Sequence, residues 1–221
     1  MNARYRQSIQ TLAISMMIAF SIPACRMYEW RDEPNIRPVV AEGRDAAVEN
    51  LTSIWDDDRT IACRALGQLA ATALERGDVG ESRHIANILM AHFEHEASHQ
   101  VRSVILALAL RDIGQDNDTV KTFLLARLAA DQLPAAAAYT LAVLRPPGTF
   151  EAIHAAVLRS EPERRYELLQ AMWLLGDPRA VPVFRDQLRT IDRDWPSHIH
   201  NMDKHQYRKV LLARQQSLRR E

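Results

Sequence analysis

Three stretches in the second half of the chain follow one plan: an apolar run at helical spacing, a break, and a second apolar run. Residues 101–113 lead through Gly114 into 120–128. Residues 136–144 lead through Arg145-Pro146-Pro147-Gly148 into 150–158. Residues 166–175 lead through Gly176-Asp177-Pro178 to Phe184 and Leu188. The three glycines stand 34 and 28 residues apart, and a looser unit precedes them from Ile61 through Gly77 to Phe93. A period of this size limits the fold severely. One helix pair cannot bury its own apolar face, so successive pairs must stack on one another.

From Arg44 onward apolar residues recur at helical spacing and no strand-like alternation persists. The spacing predicts helices over 44–55, 59–76, 81–95, 98–113, 117–130, 134–145, 150–159, 162–175, 179–190 and 202–219. Leu168, Leu169, Met172, Trp173 and Leu175 share one face, Gly176 and Asp177-Pro178 make the turn, and Pro182 falls early in the next helix, where its missing N–H costs little. The run Ala171-Met172-Trp173-Leu174-Leu175-Gly176-Asp177-Pro178-Arg179-Ala180-Val181-Pro182 resembles the short HEAT-like repeat of phycobilisome lyases. The resemblance is strongest over 165–188, extends over 98–160 and thins out over 59–95. It implies an all-α fold, an α-solenoid of stacked antiparallel helix pairs. It does not imply lyase activity, since many unrelated functions share the repeat. Tetratricopeptide-like stacking, suggested by Ala65-Leu66-Gly67, is the alternative architecture.

The N-terminus has a different character. Arg4 and Arg6 precede an apolar run over 12–24, the layout of a secretory signal. A transmembrane helix needs about 20 apolar residues, whereas this run holds Ser15, Ser21 and Pro23. Ile22-Pro23-Ala24-Cys25 resembles the bacterial lipobox, with Pro23 departing from its usual pattern. The resemblance implies cleavage of residues 1–24, acylation of Cys25 and, with Arg26 following, sorting to the outer membrane on its periplasmic side. The alternatives are ordinary secretion, with cleavage after Ala19-Phe20-Ser21, and an uncleaved anchor. Residues 25–43 contain Pro34, Pro38 and Gly43 and read as a non-helical tether. The helical repeat domain is expected over 44–191, with a loop and a basic amphipathic helix over 192–221.

Composition narrows the function classes. The chain has 28 basic and 28 acidic residues. Two of the basic ones, Arg4 and Arg6, lie before Cys25, so the chain from Cys25 on sits near −2. That balance predicts no general affinity for nucleic acid, which needs a strong basic face. The two cysteines, Cys25 and Cys63, form no disulfide framework. Cys63 lies within a helical apolar run and reads as a small buried residue, or as a bridge partner to Cys25 if Cys25 carries no lipid.

No Gly-x-Ser-x-Gly elbow and no glycine-rich phosphate loop occur. Asp56-Asp57-Asp58 precede a helix expected near Arg59 and suit its N-terminus. The one grouping with metal-ligand chemistry is His92, His95, Glu96 and His99. His92, His95 and His99 fall at i, i+3 and i+7, and such spacing can hold a divalent ion. His95-Glu96 is similar to the His-Glu pairs of deoxyhypusine hydroxylase, a family that uses several such pairs where this chain has one. His198, His200 and His205 are more loosely spaced and fall in an expected loop. At the C-terminus, Tyr207, Val210, Leu211 and Leu218 form an apolar stripe opposite basic residues; such a helix can cap the solenoid, and otherwise Lys204, Arg208, Lys209 and Arg214 are expected to face a partner or anionic lipid. The sequence as a whole reads as a lipid-anchored envelope scaffold that binds a protein or peptide without catalysis and needs no cofactor. The alternative is a metal-binding protein or metalloenzyme built on the histidine cluster.

Overall fold

The computed structural model describes residues 35–190 and 204–218. Every regular element among them is helical. Helix α1 is Ile36–Glu42, α2 Arg44–Asn50, α3 Asp56–Glu75 and α4 Val79–His95. Helix α5 covers 99–113: it is α-helical over His99–Val104 and Leu110–Ile113, with a π-helical turn, Ile105–Ala109, between them. Then come α6, Asp118–Ala129; α7, Pro134–Leu144; α8, Thr149–Arg159; α9, Pro162–Leu175; α10, Ala180–Thr190; and α11, Lys204–Leu218.

Two expectations at the N-terminal side need correction. Residues 25–34 of the expected tether lie outside the described residues, but the rest is helical. Pro38 is the third residue of α1, in the first turn, where its missing N–H would have had no intrahelical partner. Ile36 is buried, α1 packs on α3, and Gly43, at φ 95°, turns the chain into α2. Asp56, Asp57 and Asp58 form the first turn of α3 rather than preceding it. Trp55 occupies the N-cap with no side-chain cap bond, so no side chain caps the helix and the three carboxylates favour its N-terminus through the dipole.

The packing order is regular. Helix α3 packs on α5, α5 on α7 and α7 on α9; α4 meets α6 and α6 meets α8. The breaks between these helices are also regular, but not at the spacing the glycines suggest. Gly114, Arg145 and Gly176 are the C-caps of α5, α7 and α9, at an even spacing of 31 residues. Helices α6, α8 and α10 begin at Asp118, Thr149 and Ala180, again 31 apart. In that register Leu106, Ala137 and Leu168 are equivalent. So are Ala109, Thr140 and Ala171, and Leu110, Leu141 and Met172, and all nine are buried. Arg145 adopts the left-handed conformation (φ 53°, ψ 43°) at the cap where Gly176 does the same (φ 73°, ψ 14°). Gly148 belongs to the following turn.

Close approaches fix the stack. A Cβ on Gly67 of α3 would lie 2.8 Å from the Ala109 Cα at the end of the π-helical turn, so Gly67 marks the contact of α3 with α5. The buried Thr140 hydroxyl of α7 donates to the Leu106 carbonyl in the same turn at 2.7 Å. An irregular stretch of backbone inside the core is thus covered from one neighbour and bonded from the other.

Candidate functional site

The histidine cluster is split by a change of direction. Helix α4 ends at His95, Glu96 is extended at its C-cap, and α5 begins at His99 with Ser98 as its N-cap. His95 and His99 are exposed, whereas Glu96 is buried. The structure brings together only His92 and Glu96, with Nε2 3.1 Å from Oε2. The Glu96 carboxylate is already engaged: Arg59 donates Nε to Oε2 at 2.8 Å and Nη2 to Oε1 at 3.0 Å, and the Ser98 N–H donates to Oε1 at 2.7 Å. Among the described residues no three His, Cys, Asp or Glu side chains are grouped to hold a metal ion.

What these residues build instead is a polar node at the junction of α3, α4 and α5. Burial pushes the Glu96 carboxyl up, but the Arg59 hydrogen bonds and the Ser98 N–H outweigh it and hold it below the usual carboxylate range. Arg59 also donates Nη1 to the Ser53 carbonyl at 2.8 Å and Nη2 to Asp56 at 2.7 Å. Cys63, one turn further along α3, is a free and buried thiol whose burial raises it well above the usual thiol range. It is therefore inert as a nucleophile.

The basic C-terminal helix divides differently from its sequence reading. Arg208 and Lys209 are exposed, and nothing is described of the Lys204 side chain. Arg214, expected at a partner or lipid surface, is 6% exposed and lies over the Trp173 ring, 4.8 Å from its centroid. Trp173 Nε1 donates to Ser217 Oγ at 3.2 Å. Leu211, Arg214, Gln215 and Leu218 recur at i, i+3, i+4 and i+7 and are all buried, so one face of α11 is docked on α9 and α10. Arg214 belongs to that face. His198 and His200 lie outside the described residues, as does the His205 side chain.

The concavity that sequence reading did not find lies between α4 and α6. It is an open groove of about 680 Å³, with Met90, Ala91 and Phe123 as its apolar floor and Glu94, Asp118 and Thr122 on its rim. On each helix the lining positions recur at one-turn spacing, so each helix gives the groove a single face. One end is closed by Arg127, which pairs with Glu94 (Nη1 to Oε1 3.0 Å) and lies 4.9 Å from the Phe123 centroid. Phe93 and Phe123 meet edge to face at 5.5 Å beneath it. The groove's chemistry is that of a binding surface: an apolar floor, an acidic and hydroxyl rim, and no paired acid and base.

No protein-family model, no curated protein and no solved structure matches the chain. No helix among the described residues is long and apolar enough to cross a membrane. The expected signal and lipid site, residues 1–25, lie outside the described residues.

Proposed function

We propose that the chain is a non-catalytic scaffold of the cell envelope, held by lipid at Cys25 on the periplasmic side of the outer membrane. In this reading its helices form a HEAT-like α-solenoid that binds another protein or peptide. The even 31-residue register and the packing of α3, α5, α7 and α9 in order support the solenoid. The observation that carries the binding role is the α4/α6 groove, an open concavity lined by Met90, Ala91 and Phe123 inside a polar rim. The signal-like N-terminus with Cys25 supports the location. The engagement of Glu96 by Arg59 weighs against the metal-binding alternative, because a carboxylate already neutralised by a guanidinium is a poor ligand.

A photo-crosslinking residue placed at Thr122, in the groove, tests the reading in intact cells. It is expected to capture one defined envelope protein, and the same group at exposed Arg185 on α10 to capture none. Equal, diffuse labelling from both positions would remove the groove from the account. Intact-mass analysis of protein taken from membranes tests the anchor: the chain should begin at Cys25 and carry acyl chains.

A further inference from the structure

The short turn between α2 and α3 sets two adjacent large apolar side chains in water. Ile54 is 82% exposed and Trp55 67%. The turn is not a loose loop. The Ser53 hydroxyl bridges the Trp55 N–H (3.2 Å) and the Asp58 carboxylate (2.8 Å), and Arg59 fixes the Ser53 carbonyl while anchored on buried Glu96. Two exposed apolar residues held by a buried ion pair form a presented surface.

We infer that the turn carrying Ile54 and Trp55 is a second membrane contact, which lays the helical domain against the bilayer to which Cys25 is attached. The inference rests on the lipid-anchored reading above. Three observations choose lipid as the occupant. Tryptophan favours the bilayer interface, where its ring is apolar and its N–H stays hydrated. Cys25 stands 11 residues before Ile36, the first residue of α1, so the intervening chain spans at most about 40 Å. Two helices of seven residues and a short turn then separate Ile36 from Trp55. The acyl chains and the turn can therefore reach the same leaflet. Charge selects the kind of lipid. Asp56, Asp57 and Asp58 follow Trp55 directly and are exposed, so the turn suits a zwitterionic surface and is repelled by an anionic one.

The test uses the full chain purified from membranes with Trp30→Phe and Trp195→Phe, which leaves Trp55 and the α9 residue Trp173. The protein is placed in phosphatidylcholine vesicles whose acyl chains carry bromine, a short-range quencher. Quenched emission is expected, with the quenching lost in Trp55→Phe and reduced when phosphatidylglycerol replaces half of the lipid. Mass analysis of the same sample separates the two readings. Acylated Cys25 with no bromine quenching of Trp55 overturns this contact while the anchor stands. Unacylated Cys25 removes both. Trp55 shielded from aqueous acrylamide but untouched by bromolipid would assign the turn to a protein surface and overturn the inference.

Discussion

Glu96 is buried where three helices meet, and its oxygens accept from Arg59, from the Ser98 N–H and toward His92. Glu96→Ala removes the buried half of this pair and leaves Arg59 only the exposed Asp56 and the Ser53 carbonyl, so it should cost about 1.5–3 kcal/mol in urea unfolding. His92→Ala removes one contact at the edge of the node and should cost only about 1 kcal/mol. The sign of the pH dependence follows from the lowered carboxyl of the folded state. Its contribution is complete above the unfolded carboxylate range, near pH about 4.3, and is lost as pH falls through the lower folded value. Wild type should thus lose more stability between pH 5 and pH 3 than Glu96→Gln does. An equal loss in both would show that other carboxylates govern the acid limb.

At the level of helices, three equivalent C-caps make three different demands. Gly176 holds a left-handed conformation, and Gly176→Ala should cost about 1 kcal/mol. Arg145 holds that conformation with a side chain, so Arg145→Gly should gain up to about 1 kcal/mol despite the added freedom of the unfolded chain. Gly114 is different: its φ is −80°, but a Cβ there would lie 2.5 Å from Leu144 Cδ1 and 2.8 Å from the Leu110 carbonyl oxygen. Gly114→Ala should be the worst of the three, at about 1–3 kcal/mol, because backbone must shift. Thermal melts of the three variants give the order directly; a Gly114→Ala protein as stable as wild type would refute the steric account. These caps also explain what was legible beforehand. Helical spacing placed almost every helix within a few residues, because the apolar faces are continuous. The period was misread because Arg145 occupies a glycine position and Gly148 sits three residues beyond it. Helix α1 was missed because Pro34 and Pro38 read as breakers, although Pro38 falls in a first turn. The groove had no sequence signature at all. Met90 is a core residue and Phe123 is half-buried against the core, and only the placement of α4 against α6 opens a groove over them.

Across the whole molecule, the question is what α11 does for the stack. Its sequence suits either a terminal cap or a basic face for a partner, and its placement makes it a cover for α9 and α10. Leu211 and Leu218 are buried, Arg214 stacks on Trp173, and Ser217 accepts from the Trp173 N–H. Arg214 had a readable signal: it shares the i, i+3, i+7 face of Leu211 and Leu218, and an arginine on such a face buries its stem and stacks its head. Deleting 204–221 would uncover that surface. Burying two leucines contributes about 3–6 kcal/mol, so the shortened chain should unfold at clearly lower urea, and Trp173 emission should move to longer wavelength before the main transition. Lys209→Glu reverses an exposed charge and should leave stability within about 0.5 kcal/mol. The paired comparison separates the roles. If the charge reversal destabilises as much as the deletion, α11 is held by surface electrostatics rather than by its buried face. If the deletion has no effect on the midpoint, the helix is not part of the cooperative fold. The expected result, a large loss from deletion and none from reversal, makes the docked face a structural cap.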